Sequence, residues 1–178
     1  SARDAIETAL RVCHHFIDTF SSEFHNILLY GDTGVGKTFL THCIAKELMD
    51  HSYSVIYFSA AGLFDFLAKN TFGKRDEIDE DALSHICSCD LLIIDDLGTE
   101  LANSFTVSQL FVIVNERILR KEATIISTNL SLEDIKAIYS ERIFSRISSS
   151  YSMLRLTGDD IRIQKKLLNL GGTKDVTP

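Results

Sequence analysis

Apolar positions along this 178-residue chain switch repeatedly between two spacings. Helical spacing, with apolar residues three or four apart, covers 4–20 through Ile6, Ala9, Leu10, Cys13, Phe16, Ile17 and Phe20. It returns over 37–50, with Leu40, Cys43, Ile44 and Leu48 on one face, and over 60–69, 82–87 and 107–120. A last helical stretch, in one or two pieces, covers 132–147. Between these stretches lie five short apolar runs, at 26–30, 55–58, 91–94, 123–127 and 152–156. Continuous apolar strands alternating with helices predict an α/β fold, a five-stranded parallel sheet covered by helices on both faces. No internal repeat or linker interrupts the pattern, so one domain is expected over 1–178. It divides into an N-terminal helix and linker (1–25), a core (26–156) with inserted helices at about 63–89, and a short polar tail (157–178) that frays at its end.

Composition narrows the picture. The single proline and 45% hydrophobic content suit one domain rich in helix and sheet. A formal net charge of −7 argues against indiscriminate, charge-driven binding to nucleic acid, though not against a local basic groove. Cys13, Cys43, Cys87 and Cys89 have no disulfide-framework spacing, and Cys13 and Cys43 fall on apolar helical faces. His85-x-Cys87-x-Cys89 is half a metal site without a second ligand pair, so a structural role is expected there. No apolar run reaches the roughly 18 residues of a membrane span, and no signal peptide opens the chain, so a cytoplasmic location is expected. The start at Ser-Ala-Arg, without Met, reads as a domain cut from a longer protein.

Chemistry concentrates where strands end. Gly31-Asp32-Thr33-Gly34-Val35-Gly36-Lys37-Thr38 follows a strand and opens a helix, which is the context of a phosphate-binding loop. Its glycines let the backbone approach phosphates, and the helix N-terminus supplies partial positive charge. Lys37 is expected at the β- and γ-phosphates and Thr38 at Mg²⁺, with Phe39 completing the ATP-binding stretch. The run Leu91-Leu-Ile-Ile-Asp95-Asp96 delivers two carboxylates at a strand end, where α/β sheets place ligands. Asp95 is expected to hold Mg²⁺ and Asp96 to polarise the attacking water. Glu100 reads as a solvated loop carboxylate. Ser127-Thr128-Asn129 ends the fourth strand, and Asn129, ahead of Thr128, is the candidate to orient that water. Arg142 and Arg146 stand four apart on one helical face. Arg146 is the candidate finger toward a neighbouring subunit's γ-phosphate.

These motifs occur in the order found in AAA+ ATPases, which the chain resembles over nearly its whole length. LLIIDDLGTE (91–100), IISTNLS (125–131) and SERIFSRI (140–147) resemble the bacterial replicative helicase loaders of the DnaC/DnaI family. They are also similar to IstB, the ATPase partner of certain transposases. The resemblance implies a P-loop NTPase fold without a full C-terminal helical lid, because few residues follow the fifth strand. It implies that ATP·Mg²⁺ controls self-association and a grip on single-stranded DNA, with slow hydrolysis by isolated monomers. A replicative helicase is the implied partner, through an N-terminal region for which this chain has no room. Without the lid, Arg155 and Arg162 are stand-ins for a sensor arginine. Extra helices between the second and third strands contact single-stranded DNA in related initiators and loaders. There Lys69, Phe72, Lys74 and Arg75 combine cations with an aromatic, beside the acidic run 76–81. The alternatives are a transposition regulator on double-stranded DNA, a small-molecule kinase, and an ATP-switched binding module that does not hydrolyse.

Overall fold

In the computed structural model, which describes residues 2–73 and 81–158, five parallel strands stand in the order β2-β3-β4-β1-β5. The strands are β1 (Ile27–Gly31), β2 (Val55–Ser59), β3 (Leu91–Leu97), β4 (Ala123–Thr128) and β5 (Ser152–Leu156). The helices are α1 (Ala2–Asp18), α2 (Lys37–Asp50), α3 (Ala60–Phe72), α4 (Ala82–Ser88), α5 (Ser104–Arg120), α6 (Leu132–Tyr139) and α7 (Glu141–Ser150).

Two apolar layers sandwich the sheet. Leu28, Leu92, Ile94 and Ile126 face α3 to α7, meeting Leu63, Leu110, Ile113, Ile135 and Ile143. Ile27, Leu29, Ile93 and Ile125 face the other way, onto Ala9 and Phe16 of α1 and Ile44 and Leu48 of α2. This period-two division of fully buried strands is what the continuous apolar runs dictate.

The last helical stretch takes the two-piece form of the sequence expectation, because Ser140, at φ 91°, breaks the path between α6 and α7. Other details sharpen that expectation or depart from it. Cys43 is exposed, and Thr41, Ile44, Ala45 and Leu48 form the buried face of α2. Strand β3 runs past both aspartates to Leu97, with a register shift against β4 between Ile94 and Leu97. Asp96 sits at that irregularity with φ 56°, a conformation few non-glycine residues adopt. Cys87 and Cys89 are buried while His85 is exposed, and Cys89 Sγ donates to the carbonyls of Ile86 and Leu91.

Arg117 is fully buried, a feature the amphipathic reading of its helix missed. Its guanidinium donates to Thr124 Oγ1 (2.9 Å), Ile86 O (2.7 Å), Ala123 O (2.6 Å) and Cys89 Sγ (3.3 Å). The cation thereby ties the end of α4 to the start of β4, and its planar fork suits several fixed acceptors at once.

Candidate functional site

The strand order places β4 between β1 and β3. Residues leaving β4 therefore lie between the glycine loop and the acidic pair, although the three segments are far apart in sequence.

The loop after β1 is held by the exit of β5. Gly31, at φ 124°, lies so close that a Cβ there would meet Leu156 O at 2.0 Å, so any other residue would force the backbones apart. Asp32 N–H donates to Leu156 O (3.0 Å), and Gly158 N–H donates to Asp32 Oδ2 (3.2 Å). Gly36, at φ 103°, is the N-cap of α2 and supplies no side chain to the helix's first N–H groups. Those donors and the open space around Gly36 form a cradle for an anion. Lys37 is 5% exposed, and its ammonium donates to the carbonyls of Gly31 (2.8 Å) and Asp32 (2.5 Å). Val35 is buried against the α1–α2 layer, Asp32 and Thr33 are exposed, and Phe39 is 70% exposed on the first turn of α2.

Asp95 is buried and receives three hydroxyls. Thr38 Oγ1 donates to its Oδ1 (3.3 Å), Tyr57 O–H donates to its Oδ2 (3.0 Å), and Ser127 O–H donates to Oδ1. Tyr57 O–H also pairs with Thr41 Oγ1 at 2.8 Å, and burial raises the tyrosine's pKa, which keeps it a donor. Ser127 Oγ accepts from Asp96 N–H as well (2.9 Å), so one serine positions both aspartates. Sequence reading gave neither Tyr57 nor Ser127 a role. The signal lay in sheet register, since Ser59 pairs with Asp95 and Leu29 with Ser127, and register is not written locally in the chain. A threonine hydroxyl facing a carboxylate offers hard oxygen donors that fit Mg²⁺.

Asn129 is exposed just beyond β4 and lines a cleft of about 290 Å³ with Tyr30, Gly31, Asp32, Glu133 and Arg155. The structure thus brings Asn129 and the exposed Arg155 beside the glycine loop. Thr128 is buried instead, donating to Leu97 O (2.5 Å) and accepting from Leu130 N–H (3.1 Å), which locks the β3 and β4 exits together. Glu100 is not a solvated carboxylate: it accepts from Gly98 N–H (3.0 Å) and from the buried Tyr139 hydroxyl. Burial, and then this carboxylate, raise the Tyr139 pKa.

Arg142 and Arg146 are both exposed on α7, but they differ. Arg142 lies 4.5 Å from the centroid of Phe111, whereas no hydrogen bond or ion pair engages the Arg146 side chain among the described residues. Lys69 and Phe72 are exposed near the end of α3, and the Phe72 ring lies tilted against Phe105 with centroids 5.2 Å apart. Lys74, Arg75 and Arg162 lie outside the described residues.

The chain is similar to known proteins in sequence and in fold. The replicative helicase loader DnaC of Escherichia coli strain K12 is 26% identical over 145 residues, 82% of this chain and 59% of that protein. The chain thus spans well under two thirds of the curated relatives it matches. A crystal structure of the DnaC helicase loader superposes with a TM-score of 0.74 at 24% identity, covering 86% of this chain and 90% of that one. The replication initiator DnaA bound to AMPPCP and single-stranded DNA superposes with a TM-score of 0.74 at 24% identity, covering 94% and 52%. The fold is therefore that of AAA+ P-loop ATPases. A sequence profile of IstB-like ATP binding proteins matches residues 8–169, nearly the whole chain, and the chain belongs to that family.

Proposed function

We propose that this chain binds and hydrolyses ATP as the ATPase domain of a helicase loader, helping to place a replicative DNA helicase on single-stranded DNA. The observation that carries the ATPase reading is the 3.3 Å approach of Thr38 Oγ1 to Asp95 Oδ1 across the glycine loop and β3. It brings together, from two motifs far apart in sequence, the two oxygen donors that would hold Mg²⁺. The loader reading is supported by the likeness to DnaC.

Each residue then has a task. The uncapped N–H groups at the start of α2 and the Lys37 ammonium bind the β- and γ-phosphates. Thr38 and Asp95 hold Mg²⁺, which when bound draws negative charge off the phosphate oxygens. Asp96 polarises the attacking water, and Asn129 orients it from the intervening strand. Arg146 reaches the γ-phosphate of a neighbouring subunit, so hydrolysis requires self-association and is slow in isolated monomers. Lys69 and Phe72, with Lys74 and Arg75 beyond the described residues, are the proposed contacts to single-stranded DNA.

A second reading, an ATPase that regulates a transposase on double-stranded DNA, is supported by the family match itself. The two part on nucleic acid and partner. Binding of the chain to single- and double-stranded oligonucleotides of equal length, with and without ATP, is expected to favour the single strand in the presence of ATP. The full-length protein is expected to retain the cognate helicase in a pull-down. Preference for duplex DNA, with no helicase retained, would overturn the loader reading and favour the transposase one.

A further inference from the structure

The turn joining α1 to β1 gathers three side chains that the nucleotide site does not use. His15 lies in the last turn of α1, and Glu23 and His25 follow in the connecting segment. Glu23 Oε2 is 2.6 Å from His25 Nε2 and 3.5 Å from His15 Nε2. The two imidazole centroids are 5.6 Å apart. One potential ligand atom from each residue falls within 4.8 Å of the others. A tetrahedral zinc with bonds of about 2.0–2.1 Å asks for donors about 3.4 Å apart. Rotation of the exposed His15 and Glu23 side chains toward the half-buried His25 supplies that spacing.

The backbone beneath these side chains is fixed. Thr19 donates to the His15 carbonyl through both its N–H (3.0 Å) and its hydroxyl (2.7 Å). The N–H groups of Ser22 and Glu23 both donate to Thr19 O at 2.9 Å, which folds Glu23 back over the helix end. Asn26, directly after His25, is anchored in the sheet. Its side chain donates to Ser150 O (3.2 Å) and accepts from Thr124 N–H (2.8 Å), and its carbonyl accepts from Ser152 N–H (2.8 Å). Two rigid elements therefore present the donors, and the ordering cost of binding an ion is small.

We propose that His15, Glu23 and His25 form a binding site for a divalent transition metal, with zinc the best fit and water completing the coordination. Two imidazoles and a carboxylate suit zinc and discriminate against Mg²⁺, which prefers oxygen donors. The site lies before β1, at the opposite end of that strand from the glycine loop. It is thus separate from the Thr38–Asp95 pair, and a bound ion would clamp the end of α1 to the segment leading into the sheet.

The test titrates the untagged chain, freed of metal by chelator and without nucleotide, with ZnCl₂ by calorimetry and with CoCl₂ by visible absorption. One zinc per chain is expected, with affinity falling at least about tenfold in each of His15→Ala, Glu23→Gln and His25→Ala. Among the imidazole resonances, those of His15 and His25 should move. The cobalt spectrum should carry tetrahedral bands without thiolate charge transfer. His15 and Glu23 are exposed and His25 is half-buried, and an unchanged far-UV circular dichroism spectrum checks that the variants fold. No zinc binding, full affinity in the His15→Ala/His25→Ala double variant, or a thiolate charge-transfer band would each overturn the site.

Discussion

The ends of β1, β3 and β4 and the helix pair α6–α7 treat their polar groups in opposite ways. At the strand ends, Lys37 and Asp95 are buried, and Thr38, Tyr57 and Ser127 bring their hydroxyls to one carboxylate. On α7, Arg146 stands exposed with no partner among the described residues. A buried charge must find its partners within its own chain, because leaving it unpaired is costly. An exposed arginine on a short helix gains little from intrachain pairing and is free to serve another surface. The contrast agrees with the proposed division, in which the binding half would be complete in one subunit and the arginine would serve the next.

The largest expected effect strikes the buried half. Lys37→Ala should weaken ATP binding by about 100-fold, roughly 2.7 kcal/mol, and reduce hydrolysis to background. Equilibrium binding of a fluorescent nucleotide checks the first, and phosphate release the second. Retained affinity would mean that the buried half does not bind the phosphates. The next effect belongs to α7. Arg146→Ala should leave nucleotide affinity unchanged and lower turnover by about 10³-fold in the presence of DNA and helicase. Wild-type turnover under those conditions would dissolve the proposed division between the two regions.

A third substitution probes the link between them. Tyr139 closes α6 and donates to Glu100 in the loop after β3, immediately before Ser140 turns the chain into α7. Tyr139→Phe should cost about 1 kcal/mol, read as a lower denaturation midpoint at unchanged slope. If the regions are coupled, turnover in the assembled state falls several-fold while nucleotide affinity holds. Unchanged turnover would make the bond purely structural.

Much of the fold was legible because the central strands β1, β3 and β4 are largely buried on both faces, which leaves each as an apolar run. The phosphate loop was legible for a different reason: its glycines and lysine lie within eight consecutive residues. What crosses the sheet was not. Tyr57 and Ser127 look like ordinary strand residues until register sets them beside Asp95. Glu100 looked solvated because its partner, Tyr139, lies 39 residues later. The exposure of Cys43 was misread because Thr41, a polar residue, takes a place on the buried face of α2 through its bonds to Thr38 O and Tyr57.

The two α7 arginines offer the finest division of the comparison, and the smallest effect. Spacing put Arg142 and Arg146 on one face, and the sequence reading favoured Arg146 as the finger. The structure separates them, since the Arg142 guanidinium lies 4.5 Å from the Phe111 centroid and is committed to its own chain. At an exposed site such a contact contributes about 0.5–1 kcal/mol. Arg142→Ala should therefore lower stability by that amount in chemical denaturation and leave assembled turnover unchanged, the reverse of Arg146→Ala. Arg142→Lys should recover less than a charge argument predicts, because the planar guanidinium stacks on the ring and an ammonium does not. If Arg142→Ala instead abolished turnover at full stability, the finger would be Arg142, and the stacked geometry would be the resting position of a side chain that swings out to a neighbour.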